Sequence, residues 1–299
     1  MPIKNRPDVW VVIPTWNRVT DLIACLESLE KVNYSPLHIL VVDNASQDNT
    51  TGIVSEKFPD VHLITLEENK GAPQASNIGF EYTLIKGADF VLRLDSDTVV
   101  SPDFLTPLVS KMIDSPEIGV ISPKIYYYEP PDVLWYAGVD AHPFHFGATH
   151  DLQNQKDSTK ANQSRIVDYA WGAAMLIRRE VLEKTGGFDP QFFIYYEEVD
   201  FCQWIQDLGY HIYYLAESEI CHKVGIQHTN GWTAYQWNRS KMILFRKHAR
   251  NLLHKISLIL YAITYAFISP VIKGNNTGNR GPLRSALKGL YDGFRLKLS

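Results

Sequence analysis

Asp95 and Asp97 stand one residue apart at the end of a short apolar run, Phe90-Val91-Leu92-Arg93-Leu94. A run of this kind after Gly87-Ala88 predicts a buried strand that ends at the two acids. Alternate side chains of an extended segment point the same way, so both carboxylates face one point and Ser96 points away. Two hard oxygen donors converging on one point suit Mg²⁺ or Mn²⁺, and such a cation would also hold a diphosphate. The plainer alternative is a turn whose aspartates bond nearby backbone amides, and Asp-x-Asp alone does not choose between the two.

The elements that must position these acids repeat one arrangement. Residues 9–13 predict a first buried strand, followed by Pro14-Thr15-Trp16-Asn17-Arg18 and a helix with Leu22, Cys25, Leu26 and Leu29 on one face. Residues 38–42 predict a second strand ending at Asp43-Asn44-Ala45-Ser46. Residues 61–66 predict a third, followed by Asn69-Lys70-Gly71 and a helix through Gln74, Asn77, Phe80 and Leu84. Strands alternating with helices imply an α/β fold with a mostly parallel sheet flanked by helices. Polar residues gather after each strand, at the carboxyl edge where open α/β sheets bind ligands.

Further along, residues 102–113 predict a helix and 119–128 a strand. Residues 129–160 are polar and rich in His, Pro and Asn, which predicts a loop or hairpin insertion of the kind that forms acceptor pockets. A buried strand over 168–179 and a helix over 180–185 follow. After the turn Gly186-Gly187-Phe188-Asp189, Glu197-Glu198-Val199-Asp200 opens a helix with Phe201, Trp204, Ile205 and Leu208 on one face. Residues 212–215 and 220–222 predict two more strands. Gly-x-Gly-x-x-Gly, a Walker loop and Gly-x-Ser-x-Gly are all missing from the sequence, which argues against dinucleotide binding, NTP hydrolysis and a hydrolase elbow.

The 299 residues, 45% hydrophobic and 21% charged, suffice for one large domain or one domain with an appendage. The net charge of −4 hides an asymmetry: residues 235–299 hold twelve of the 29 Lys/Arg but a single acid, Asp292. An acidic body with a basic tail suggests that the tail meets an anionic surface; no nucleic-acid partner is expected. Cys25, Cys202 and Cys221 are scattered, without a Cys-x-x-Cys pair, and read as reduced, buried small hydrophobes of a cytosolic protein. Residues 1–7 are polar, so no signal peptide is expected.

Several pieces coincide in order: Ile13-Pro14-Thr15-Trp16-Asn17-Arg18, Val42-Asp43-Asn44-Ala45-Ser46, Asn69-Lys70-Gly71, Asp95-Ser96-Asp97, Gly186-Gly187-Phe188-Asp189, Glu197-Glu198-Val199-Asp200 and His222. Together they resemble the family 2 glycosyltransferases of the GT-A fold, especially bacterial rhamnosyltransferase-like members. The resemblance implies an inverting, metal-dependent transfer of a sugar from a nucleoside-diphosphate sugar to a glycan or lipid-linked acceptor in cell-surface glycan biosynthesis. It implies that Asp43 binds the base or ribose and that Pro14, Thr15 and Arg18 form the first nucleotide-contacting loop. Asn44, Lys70, Gly71, Asp95, Ser96 and Trp171 join them around the nucleotide sugar. Asp97, with Asp95, is the implied metal ligand, and His222 completes that site. Glu198 occupies the place of the general base, usually Asp in the family, and Glu197 and Asp200 are its alternatives.

The chemistry is consistent without the family. Displacing a nucleoside diphosphate requires its developing charge to be stabilised, which a divalent cation does. The acceptor hydroxyl has a high pKa, so a placed carboxylate must take its proton. Attack opposite the leaving group inverts the anomeric centre in one step, with one base. Each residue also has a plainer reading: Asp43 as a helix cap, the acids at 197–200 as first-turn residues favoured by the helix dipole, His222 and the aromatics as core. Their joint, ordered occurrence favours the transferase. Two competing classes stay open. A sugar-phosphate nucleotidyltransferase would want a Gly-rich basic loop after the first strand, where this chain has no glycine. A non-catalytic carbohydrate- or membrane-binding protein would tolerate loss of the acids, which are present.

The expected division is 1–230 for the catalytic domain and 231–299 for a helical appendage. Residues 235–253 predict a basic helix, 256–272 an apolar segment bordered by Arg250, Lys255 and Lys273, and 283–298 a basic amphipathic helix. Apolar helices bordered by Lys and Arg fit an interfacial anchor, which predicts a cytoplasmic protein peripheral on the inner face of the membrane. The alternative is a helix hairpin packed on the domain or on the partner of a homodimer.

Overall fold

In the computed structural model the described residues are 6–141, 148–149, 152–223, 230–248, 252–253, 256–257, 260 and 281–298. The predicted βα units form as β1 (Val9–Thr15), α1 (Val19–Leu29), β2 (Leu37–Asp43), α2 (Thr50–Lys57), β3 (His62–Thr65), α3 (Ala72–Ile85) and β4 (Phe90–Leu94). β1 pairs parallel with β2 and with β4, and β2 pairs parallel with β3. β1 and β4 are buried along their whole length, as a central parallel strand covered on both faces must be. α1 buries the expected Leu22, Cys25, Leu26 and Leu29. α3 lies so close to the sheet that a Cβ at Gly79 would come within 2.3 Å of Val12, so only glycine fits there.

The second half follows as β5 (Thr98–Val100), α4 (Leu105–Asp114), β6 (Ile118–Tyr127), β7 (Leu134–Tyr136), β8 (Asp140–Ala141), β9 (Ala148–Thr149), β10 (Arg165–Val167), β11 (Ala174–Arg178), α5 (Arg179–Thr185), α6 (Glu197–Asp207), β12 (His211–His222), α7 (Gly231–His248) and α8 (Gly281–Arg295). The large sheet runs β10-β12-β6-β11-β4-β1-β2-β3, with β5 beside β12 and β7 beside β6. β11 runs antiparallel between β4 and β6, so the sheet is mixed, though mostly parallel in its first half.

Three expectations change. The strand predicted over 168–179 is shorter, because a turn at Gly172-Ala173 precedes β11. The two strands predicted at 212–215 and 220–222 are one, β12, whose register against β6 shifts between Leu215 and Glu219. α6 buries Phe201, Cys202 and Ile205 but leaves Trp204 39% and Leu208 40% exposed, so its apolar face is narrower than the spacing suggested.

The insertion after β6 is held by a buried ammonium. Lys124 Nζ lies 2.6 Å from Asn162 Oδ1, 3.1 Å from Glu219 Oε1 and 3.2 Å from Asp157 Oδ2. A buried charge is tolerated only when paired in this way. Cys25 and Cys202 are buried and Cys221 half-buried, all as free thiols.

α8 packs on α7 through a small-residue face. A Cβ at Gly289 would come within 2.3 Å of the Tyr235 carbonyl oxygen, and one at Gly293 within 2.6 Å of that of Arg239. Phe192 forms a second apolar cluster with Ile243 and Leu244 of α7, separate from the main core. Among the described residues no helix is long and apolar enough to cross a membrane. Most of the apolar segment 256–272 lies outside the described residues.

Candidate active site

The loops at the carboxyl ends of β1 to β4 are tied to one another before any ligand is considered. Asn17 N donates to Ser46 Oγ at 2.9 Å, and Gln47 N to Asn17 Oδ1 at 2.7 Å. Asp48 Oδ2 accepts the Val19 amide at 3.0 Å and so caps α1 from the neighbouring loop. Asn44 joins the next pair: its Oδ1 accepts the Lys70 amide at 2.8 Å, and its Nδ2 donates to the Gly71 carbonyl at 3.2 Å.

On this frame Thr15 and Asp43 sit side by side in the β1–β2 register. Both are buried, and Thr15 Oγ1 and Asp43 Oδ1 have no hydrogen-bond partner. Orphaned buried acceptors at a strand end are what a bound ligand would satisfy. Pro14 is buried in β1 beside them. Lys70 departs from a ligand-facing posture: its ammonium pairs with Glu68 at 3.1 Å, and its backbone makes the contact to Asn44. Gly71 has φ +86°, and a Cβ there would meet the Phe193 carbonyl oxygen at 2.4 Å, so it is bound to be glycine on two counts.

The acids after β4 converge, through a turn between β4 and β5 rather than through the extended segment that their spacing predicted. Thr98 closes their turn, its Oγ1 donating to the Asp95 carbonyl at 2.8 Å. Potential ligand atoms of Asp95, Asp97 and His222 lie within 4.8 Å of one another. Arg18 Nη1 is 3.0 Å from Asp97 Oδ2 and 3.2 Å from Asp21 Oδ2. Ser96 is buried between the two acids. Two carboxylates and an imidazole form a donor set that suits Mn²⁺ or Mg²⁺, and the buried His222 Nδ1 has no hydrogen-bond partner.

The opening turn of α6 brings in the second acid group. Glu197 is buried with an orphaned Oε2; Glu198 beside it is half-buried. Burial first, and the Glu198 charge second, push the Glu197 carboxyl up to about 8. Burial also raises Glu198, against the lowering effect of its own backbone amide and of Arg93. Asp200 is engaged elsewhere: Lys247 Nζ holds its Oδ2 at 2.8 Å and His248 Nε2 lies 2.6 Å from its Oδ1.

Three contributors were not singled out in the sequence. Arg93, almost fully buried, pairs with Asp95 Oδ1 at 2.5 Å and also donates to the Gly172 carbonyl. The signal was an arginine inside an otherwise apolar strand. Trp135 of β7 packs edge-on against His222, with ring centroids 4.4 Å apart, and against Trp171 at 4.8 Å. Trp171 thus lines the cluster through Trp135. Asn77 of α3 exchanges two hydrogen bonds with Phe188, fixing the Gly186-Gly187-Phe188-Asp189 turn.

A mixed α/β sheet with acids and a histidine at its carboxyl edge defines a GT-A nucleotide-sugar-binding fold. The chain belongs to glycosyl transferase family 2, whose profile matches residues 10–186, and it is a glycosyltransferase. It is 24% identical over 228 residues to a dTDP-rhamnosyl transferase, RfbF, of Shigella flexneri, covering 73% of this chain and 70% of that protein. It is 26% identical over 233 residues to the N-acetylglucosaminyl-diphospho-decaprenol L-rhamnosyltransferase of Mycobacterium tuberculosis, covering 71% of this chain and 75% of that protein. In fold it is similar to the mannosyltransferase PcManGT of Pyrobaculum calidifontis, solved with GDP-Man and Mn²⁺, with a TM-score of 0.60 and 19% identity over 97% of this chain and 86% of that one.

Proposed function

We propose that the protein transfers a sugar from a nucleoside-diphosphate sugar to an acceptor hydroxyl, with inversion, at a divalent-cation site. The carrying observation is that one buried guanidinium pairs with the first acid group and acts electrostatically on the second. Arg93 pairs with Asp95 of the first group and lies within electrostatic range of Glu197 and Glu198. Asp95, Asp97 and His222 would hold Mn²⁺ or Mg²⁺, which when bound neutralises charge on a departing diphosphate. Thr15 and Asp43 receive the nucleoside. Glu198, the less buried of the glutamates, takes the acceptor proton, while Glu197, pushed up to about 8, stays protonated at neutral pH. A protonated Glu197 keeps a second negative charge away from Glu198. Incubation with a panel of nucleotide sugars and Mn²⁺, reading nucleoside diphosphate release, tests this; no release from any donor in the panel, or release that is unchanged when the cation is chelated, would overturn it.

The tail supports a lipid-linked acceptor and a location at the membrane. α8 presents Leu287, Tyr291 and Phe294 to solvent at helical spacing, with Arg284, Lys288 and Arg295 on the same helix. Exposed apolar side chains flanked by cations fit the surface of an anionic bilayer. We infer that the protein works at the cytoplasmic face of the membrane. The soluble donor then enters from water and a lipid-diphosphate acceptor, like that in the mycobacterial relative's name, from the bilayer.

A further inference from the structure

The two residues before the glutamate pair hold a backbone conformation that side chains disfavour. Tyr195 has φ 69° and Tyr196 φ 68°, both in the left-handed region, and neither is glycine. Two such residues in succession persist only where surrounding structure imposes them. They set the direction in which Glu197 and Glu198 leave the turn.

α7 is what imposes them. The Trp237 ring lies against both tyrosines, with centroids 5.2 Å from Tyr195 and 5.0 Å from Tyr196. Ser240 Oγ donates to the Ile194 carbonyl at 2.8 Å, and Arg239 Nη1 to the Gln191 carbonyl at 2.9 Å. Lys247 Nζ spans the two ends of the segment, 2.6 Å from Asp189 Oδ2 and 2.8 Å from Asp200 Oδ2. From the opposite side, the Ala72 amide donates to the Phe193 carbonyl at 3.0 Å. The acid-bearing turn is thus gripped between the Gly71 loop and a helix that follows the sheet in the chain.

We propose that α7 is part of the catalytic machinery, and that Trp237 and Ser240 are positioning residues that hold the Tyr195–Tyr196 turn so that Glu197 and Glu198 face the reacting hydroxyl. This rests on the reading that one of these glutamates is the base. Neither positioning residue touches substrate; each acts through the turn. Misplacement of a catalytic group by about 1 Å costs up to about 100-fold in rate, so loosening the turn lowers kcat and leaves donor binding at Thr15 and Asp43 unaltered.

The test uses the full chain with Trp237→Ala, Trp237→Phe, Ser240→Ala and the double variant Trp237→Ala/Tyr196→Gly, at saturating Mn²⁺. Trp237→Ala is expected to lower kcat by about 10-fold or more with unchanged donor KM, and Trp237→Phe, which keeps a ring against the tyrosines, to restore most of it. Ser240→Ala, a small deletion that leaves the helix intact, lowers kcat in the same direction. Tyr196→Gly should partly rescue Trp237→Ala, because glycine adopts a positive φ at no steric cost. A purely structural role would move kcat and KM together with the folded fraction, and the double variant would fall further; either result overturns the proposal, as does near-normal kcat in both Trp237→Ala and Ser240→Ala. Glu197→Gln and Glu198→Gln run in parallel separate the two readings. If both glutamine variants turn over normally while Trp237→Ala does not, the base assignment fails. If a glutamine variant loses turnover while the α7 variants keep it, the clamp alone fails.

Discussion

His222 Nε2 stands 2.8 Å from Asp97 Oδ1 although 125 residues separate them in the chain. The register of β12 against β5 makes the contact, pairing His222 with Thr98, one residue past Asp97. Burial alone would raise the Asp97 carboxyl; the hydrogen bond and charge of His222, with the Arg18 guanidinium, outweigh it and hold the group below the usual carboxylate range. Asp97 is therefore ionised at neutral pH and ready to ligate a cation.

Asp97→Asn keeps the side chain's shape and removes its charge. Mn²⁺-dependent binding of a nucleoside diphosphate should weaken by about 100-fold or more, while the circular dichroism of the protein is unchanged. Calorimetric titration with and without Mn²⁺ measures it, and equal affinities for the variant and the parent chain would rule out this cation site.

Glu198→Gln removes the proton acceptor and preserves packing. Turnover should fall by ~10²- to 10⁴-fold with donor affinity retained. Because the base must be ionised and burial raises Glu198, the acid limb of the kcat profile should lie above the ordinary carboxylate range. A variant that turns over normally moves the role to Glu197.

The sheet and its carboxyl-edge acids were legible because both depend on short-range patterns. The apolar run at 90–94 shows where the strand ends, and the close spacing of Asp95 and Asp97 marks them as a pair, although a turn and not an extended strand brings them together. The Leu22, Cys25, Leu26 and Leu29 spacing likewise gave the buried face of α1. What stayed hidden depends on pairing between distant segments. No local pattern shows that β11 runs antiparallel between β4 and β6, or that Trp135 in a polar insertion packs on His222. Asp200 could be read as a candidate base because nothing near it in sequence reveals Lys247 and His248. The basic residues of α7 looked like a membrane-facing set, yet Lys247 is spent on Asp189 and Asp200.

Glu197 makes the fold's stability depend on pH. Its carboxyl rises from an ordinary 4.5 to about 8 on folding, through burial first and the Glu198 charge second. Between these values the folded chain binds a proton that the unfolded chain has released, so this group's contribution is fully present below 4.5 and lost as pH rises through 8. Glu197→Gln removes that dependence. Scanning calorimetry from pH 5 to 8.5 should show Tm falling less steeply for the variant, with its largest relative gain at the alkaline end. Parallel Tm curves would show that Glu197 ionises in the folded state as freely as in the unfolded one.

The exposed face of α8 gives the last prediction. Leu287, Tyr291 and Phe294 project away from the face that carries Ala286, Gly289, Leu290 and Gly293, which are buried. Changing the exposed three to serine therefore spares the small-residue face packed on α7 and removes one α7–α8 contact, the Arg246 guanidinium over the Phe294 ring at 5.8 Å. Burying them in a bilayer would contribute ~25 cal/mol per Å² of apolar surface. Each nearby Lys or Arg adds roughly 1 kcal/mol against anionic lipid, and less as salt rises. The full chain should sediment with vesicles containing anionic phospholipid and far less with neutral ones. The triple variant Leu287→Ser/Tyr291→Ser/Phe294→Ser should remain largely in the supernatant. Raised salt should weaken the binding of the parent chain without abolishing it, because the apolar contribution is not screened. If the parent chain ignores the vesicles and instead sediments as a dimer that the triple variant breaks, this face is a subunit interface and the membrane assignment is wrong.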